Sequence, residues 1–290
     1  MSPSRTTRAA LAGLALLLAP VGAAGQTVEY LDTFVWSDPA EEFGGMSGIE
    51  VLPGGVEFIA ISDRGRITRG WLERDAGGRI VGVAAGPLEL LGDGAGGVLA
   101  RRRSDAEGIA VAADGEVFIS FEGAARVRTE TGPEGVPHAL PVPQAFREML
   151  MNSSLEALAV DDLGRIYTLP ERSGRLDRPF PVYRYDGAEW AIAFRIPRVD
   201  DYLPVGADIG PDGLFYLLER HFTGLGFRTR VRRMALDGTG IETLIETARH
   251  DNLEGLAVWQ AADGLRLTMI SDDNFRWFQR TEIVEYRVID

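Results

Sequence analysis

Short apolar, β-branched runs, broken by turns that carry glycine and aspartate, recur along the chain from Val28 to Val288. The clearest unit has apolar runs at 109–112 and 116–121 on either side of Ala113-Asp114-Gly115. Related turns are Pro53-Gly54-Gly55, Asp161-Asp162-Leu163-Gly164, Pro211-Asp212-Gly213 and Ala262-Asp263-Gly264. Asp-Gly between two such runs signals a hairpin, because the tight turn needs a residue that tolerates positive φ. Third and fourth strands follow at 182–185 and 191–194, and again at 231–236 and 241–245. Four strands in a unit of roughly 40–60 residues match one propeller blade. The last unit, from Asn252, has room for three strands ending at 282–288, while a strand at 28–35 is left over at the other end. The pattern therefore predicts an all-β, five-bladed β-propeller in which the N-terminal strand completes the last blade, closing the ring and removing an open edge. A sixth blade within 66–104 or 123–153 is the alternative.

Each unit opens on a carboxylate just before its first apolar strand: Glu50, Glu107, Glu156, Asp208 and Glu254, which lie 57, 49, 52 and 46 residues apart. Each second strand also ends in acid, at Asp63, Glu122, Glu171, Glu219 and Asp272-Asp273. The start of one strand and the end of its antiparallel partner share an edge. The expected pairs are thus Glu50 with Asp63, Glu107 with Glu122, Glu156 with Glu171, Asp208 with Glu219, and Glu254 with Asp272, all at one mouth of the ring. Carboxylates that close repel unless protons or cations offset them. A hard, oxygen-seeking divalent cation such as Ca²⁺ would do so, with Glu50, Glu107, Glu156, Asp208, Glu254 and Asp272 as candidate ligands. Carboxylates that accept backbone amides of the next blade are the structural alternative.

Arginines accompany the second set: Arg64, Arg172, Arg220 and, a little later, Arg276. They could hold an anion beside the cation, since a guanidinium matches phosphate and carboxylate geometry. Pairing with their acidic neighbours on a solvated rim is the simpler role. Arg101-Arg102-Arg103 reads as an exposed loop, and His138, His221 and His250 as ordinary histidines, the last two near the acidic mouth. The tryptophans read as blade packing, with a pocket wall as the alternative for Trp277 and Phe278.

Composition narrows the function classes. The formal charge is −13, which argues against nucleic acid or anionic lipid as partner. There is no cysteine, which removes thiol catalysis, thiolate metal sites and disulfides. Arg5 and Arg8 precede a short apolar run, and Val21-Gly22-Ala23-Ala24 offers small residues for cleavage. Residues 1–24 thus read as a secretory signal peptide of the Sec type, too short for a stable membrane span. The expected mature protein is a single propeller domain over 25–290, periplasmic or secreted, and a monomer. No nucleophile elbow, phosphate-binding loop, zinc-protease or dinucleotide motif is present.

Several phrases carry a family resemblance: Ser47-Gly48-Ile49-Glu50, Ile61-Ser62-Asp63-Arg64-Gly65, Asp105-Ala106-Glu107-Gly108-Ile109, Asn152-Ser153-Ser154-Leu155-Glu156, Asn252-Leu253-Glu254-Gly255-Leu256 and Ile270-Ser271-Asp272-Asp273-Asn274-Phe275. Over about 28–288 the chain resembles the phytase-like family, exported bacterial proteins named for an esterase-like activity of phytase. The resemblance implies a secreted propeller that hydrolyses phosphate or carboxylic esters with a metal ion. Alkaline phytases carry lysine-rich phosphate pockets, whereas all 30 basic residues here are arginine. That points away from phytate, toward a smaller monoester, a lactone or a carboxylic ester. Asp63 or Glu171 would then take the proton from water, with Arg64, Arg172 or Arg220 holding the anion. A non-catalytic binding or scaffold propeller of the cell envelope, and a lactonase-like enzyme, are the alternatives.

Overall fold

The computed structural model describes residues 28–130, 135–150 and 153–289, so the expected signal peptide lies outside the described residues. Five small antiparallel sheets form the five blades of a propeller. The first blade comprises β2 (Met46–Val51), β3 (Glu57–Ser62), β4 (Arg66–Arg74) and β5 (Ile80–Ala85), with the short β6 (Glu89–Leu90) also paired to β4. The second is β7 (Ala106–Val111), β8 (Val117–Phe121), β9 (Arg126–Thr129) and β10 (His138–Ala139). The third is β11 (Leu155–Val160), β12 (Ile166–Pro170), β13 (Phe180–Tyr185) and β14 (Trp190–Ile196). The fourth is β15 (Leu203–Ile209), β16 (Phe215–Phe222), β17 (Phe227–Met234) and β18 (Glu242–Thr247). The fifth holds β19 (Leu253–Ala261), β20 (Gly264–Ser271) and β21 (Thr281–Val288), completed by β1 (Val28–Trp36).

The N-terminal strand closes the ring as expected. β1 runs antiparallel to β21 from Val28 opposite Val288 to Trp36 opposite Thr281. The segments that could have held a sixth blade instead supply outer strands of the first and second blades. A single helical turn, α1 (Gln144–Arg147), lies between β10 and β11.

Both faces of each inner hairpin are buried, which explains the nearly continuous apolar runs. In β3, Phe58 and Ala60 pack toward the fifth blade, whereas Ile59 and Ile61 pack toward the second. In β16, Tyr216 and Leu218 join the cluster shared with the fifth blade, and Phe215 and Leu217 the cluster shared with the third. This two-residue alternation distributes the core among the blade–blade contacts.

β2, β7, β11, β15 and β19 are the innermost strands, each in contact with the next and β19 with β2. Each carries a register shift near its start, opposite the end of its partner strand. Gly48, Gly108, Ala157, Gly206 and Gly255 follow the shift and form a tight collar. A Cβ on Gly108 would lie 2.5 Å from the backbone oxygen of Glu156, and one on Gly255 would lie 2.8 Å from the amide nitrogen of Ile49. Gly108→Ala should therefore destabilise the fold by about 1–3 kcal/mol, the usual cost of overpacking. Urea unfolding measures this, and an unchanged midpoint would mean that the collar has slack.

Candidate metal centre and active site

The collar fixes which residues are equivalent from blade to blade. Immediately before it, at the shifted position, stand Ser47, Glu107, Glu156, Val205 and Glu254. At the end of each second strand stand Asp63, Glu122, Glu171, Arg220 and Asp272. The amides of Asp63, Glu122, Glu171 and Asp272 each donate to the residue that precedes the inner strand: Gly45, Asp105, Ser154 and Asn252, all at 2.9 Å. Arg220 takes the same place in the fourth blade, opposite Leu203. The acidic mouth thus exists, but three expected members, Glu50, Asp208 and Glu219, are elsewhere.

Glu50 and Asp208 lie three residues past Ser47 and Val205, about 10 Å farther along their strands at ~3.3 Å per residue. Both are buried. Glu50 accepts the amide of Val111 in the second blade. Asp208 accepts that of Val258 in the fifth blade at 2.6 Å. Val111 and Val258 occupy the same place in their blades, so these two acids repeat one stitch between neighbouring strands. Burial and the proximity of Asp208 push the Glu50 carboxyl well up, and burial raises Asp208 to about 7.

Glu219, expected opposite Asp208, pairs with Pro204 and lies on the other face of its strand. It is fully buried and accepts Arg230 Nε at 2.8 Å and Arg232 Nη2 at 2.6 Å. It belongs to the packing between blades. Trp277 is 95% exposed rather than packed in a blade. His250 is buried against the Tyr286 hydroxyl at 2.8 Å, and His221 stacks edge-on with Tyr202.

The mouth divides into two halves. In one, Arg220 donates to Glu254, to Asn252 Oδ1 at 2.8 Å and to Glu171 Oε1 at 3.5 Å. Arg172 also reaches Glu171, at 3.2 Å. These two arginines are committed to their acidic neighbours. In the other half, Asp105, Glu107 and Glu122 place one oxygen each within 4.8 Å of one another. Glu156 hydrogen-bonds Glu122, and Asp63 lies close enough to feel the charges of Asp105, Glu254 and Asp273. Oδ1 of Asp63 is buried and has no hydrogen-bond partner.

Burial, first, and the neighbouring carboxylates, second, push Glu107 and Glu156 well up and raise Asp63 to about 7. Glu122 rises to about 7 and Asp272 to about 8 from the same two sources. Such a set stores protons unless a cation replaces them. Three carboxylate oxygens at this spacing suit a hard cation with bonds of about 2.3–2.6 Å. An axial cavity of about 10 Å³, lined by Ser47, Glu107, Val205, Glu254 and the glycines of the collar, has room for about one water-sized particle.

Asp105, which the sequence pattern did not single out as a ligand, is thus part of the tightest acidic cluster among the described residues. Its only signal was its place two residues before Glu107. On the rim, the exposed Arg64 stacks on Phe275, its guanidinium carbon 3.1 Å from the ring centroid. Asn274 and Phe275 both adopt positive φ, 48° and 50°. Such backbone costs energy and clusters at functional sites. Gly45, itself at φ +63°, leaves room for Phe275 and Asp63.

Three solved structures are similar to the chain at low identity. The PQQ-bound aldose sugar dehydrogenase from Streptomyces coelicolor is 16% identical, with a TM-score of 0.46, over 88% of this chain and 98% of that one. A gluconolactonase from Xanthomonas campestris is 17% identical, with a TM-score of 0.45, over 79% and 68%. Virginiamycin B lyase from Staphylococcus aureus is 11% identical, with a TM-score of 0.45, over 90% and 100%. No curated protein matches the sequence. No helix among the described residues is long and apolar enough to cross a membrane. The family model described as phytase-like, esterase-like activity of phytase, matches residues 41–275, and the chain belongs to that family.

Proposed function

We propose that the chain is a hydrolase of small phosphate or carboxylic esters, with the reaction at the Asp105–Glu107–Glu122 side of the mouth and Ca²⁺ as the bound cation. The observation that carries this reading is the unpartnered, buried Asp63 Oδ1 beside a carboxylate cluster that suits a cation. A purely structural ring would leave no acid without a partner. Asp105, Glu107 and Glu122 would hold the ion, with Glu156 supporting Glu122. When bound, the ion polarises the ester oxygen and neutralises charge that builds on it.

The remaining work falls to the chain. Asp63, with a pKa of about 7, is matched to proton transfer near neutrality. It takes a proton from water as the water oxygen bonds to the phosphorus or acyl carbon. The ester bond to the alcohol breaks, and the same proton returns to the departing alkoxide. Arg64 is exposed at the rim and holds the anionic end of the substrate, a role Arg172 and Arg220 are not free to take. Glu171, bound by two arginines, orients Arg220 rather than abstracting a proton. Export to the periplasm or beyond is part of the same proposal.

Turnover of p-nitrophenyl phosphate, acetate and butyrate and of simple lactones, with calcium or with chelator, tests it. Activity should disappear with chelator. Asp63→Asn should lower kcat by about 10²–10⁴ while calcium still binds, as expected for a lost general base. A folded, calcium-bound protein silent on the whole panel would point instead to a binding propeller.

A further inference from the structure

The second blade carries a different charge problem on its flank. Arg126 and Arg128, successive inward residues of β9, are 3% and 4% exposed. Arg128 is paired, through Nη2, with Glu130 at 2.7 Å. Arg126 has no such partner. Its Nη1 donates to the carbonyl of Ala124 at 2.9 Å, its Nη2 to that of Arg103, and its Nε to nothing. The guanidinium carbon lies 4.0 Å from the Phe121 ring centroid. Among the described residues, no carboxylate lies within ion-pair distance of it. The acid whose charge it feels, Glu130, is already paired with Arg128, and a buried charge short of a counterion is costly.

Space for a counterion adjoins it. Arg103 and Arg126 line both a cavity of about 290 Å³, with Arg128 and His138, and a second of about 360 Å³, with Phe146 and Arg147. The one acid lining the first cavity, Asp93, accepts the amides of Ala95 and Gly97 on Oδ1 at 2.8 and 2.9 Å and offsets part of the charge of Arg128, leaving three arginines against one lining acid. Neither cavity shares a lining residue with the axial one. Burial first, and then the like charges of Arg103 and Arg128, lower Arg126 to about 10, with Glu130 opposing them.

We propose that Arg103, Arg126 and Arg128 form a binding site for a small oxyanion on the flank of the second blade, separate from the acidic mouth. Phosphate, sulfate and the carboxylate of an organic acid share the required chemistry. The guanidinium of Arg126 supplies the buried charge, and the exposed Arg103 closes over the anion.

Thermal melts of the full chain in calcium-free buffer, at constant ionic strength set with chloride, test this. Phosphate, sulfate and acetate are titrated in turn, and their order of effect identifies the class of anion. At least one should raise Tm saturably, by about 5 °C at a hundredfold excess over Kd. Arg103→Ala, a surface change, should weaken the titration midpoint tenfold or more. Arg126→Met should abolish the shift, yet melt no lower than the parent without anion, because it removes an unpaired buried charge. Arg64→Ala should keep the shift in full. Absence of a saturable shift with all three anions overturns the proposal. So does a shift that survives Arg103→Ala unchanged, or one lost in Arg64→Ala, which would put the anion at the mouth.

Discussion

Glu219→Gln should lower stability by about 3–5 kcal/mol, the usual cost of removing one partner from a buried ionic group. At this chain length that is a fall of roughly 10 °C in Tm. Glu219 is fully buried, and Arg230 and Arg232, both 3% exposed, converge on its two oxygens. Each arginine also donates to the linker between the third and fourth blades, to Val199 and Pro197 at 3.1 Å. Loss of the carboxylate leaves Arg232 buried without an acid and Arg230 with only the exposed Asp200, at 4.0 Å. The triple change Glu219→Met, Arg230→Met, Arg232→Leu should return stability to near the parent value, since a buried ion group and a packed apolar one are of similar worth. Urea unfolding of both variants decides it. A single variant as stable as the parent would show that water enters the site.

The same residue shows where the sequence was readable and where it misled. Hairpin turns and apolar runs revealed five blades and the closing strand, because both depend on local periodicity and turn chemistry. The site was blurred by the choice of landmark. Counting from carboxylates gives irregular spacings, whereas Glu107, Glu156, Val205 and Glu254 are each 49 residues apart. The small residue after each of them is the better marker, since backbone crowding at the axis leaves no room for a large side chain there. Aligned on it, Glu50 and Asp208 fall three places deeper, and the fourth blade offers Val205 and Arg220 where its neighbours offer acids. The one-residue register shift in every inner strand compounds the problem. It reverses which face a residue takes, and a face is what separates Glu219 in the core from Arg220 at the mouth. That Arg220 is the mouth's own counterion, leaving only one half for a metal, depends on side-chain reach across three blades and has no signature in local sequence.

Without calcium, Tm should fall as pH rises from about 5 to 8, and calcium should reverse much of that fall. The sign follows from the mouth. Asp63 and Glu122 rise to about 7 and Asp272 to about 8, against ordinary values of 3.8 for Asp and 4.5 for Glu. Each carboxyl therefore binds its proton more tightly folded than unfolded. Its stabilising effect is complete below the unfolded value, declines above it, and is gone once pH passes the folded one. A tenfold difference in proton affinity is worth about 1.4 kcal/mol. With the half-buried Glu122 counted for less because solvent screens it, the three carboxyls together still lower stability by several kcal/mol. A cation must displace protons from Asp105, Glu107 and Glu122, all held above their ordinary values chiefly by burial, so its affinity should also climb as pH rises. At a hundredfold excess over Kd it should restore about 2.7 kcal/mol at pH 8 and far less at pH 5. Glu107→Gln separates the two effects with opposite signs: it should raise the chelator-treated Tm at pH 8 by removing a repelling charge, and it should erase the calcium response. Fluorescence-monitored melts of parent and variant at pH 5, 6.5 and 8, with calcium and with chelator, measure all of this. Superimposable curves with and without calcium at pH 8 would reject the metal centre. A Glu107→Gln variant that keeps the full calcium shift would move the ion away from the Asp105–Glu107–Glu122 cluster.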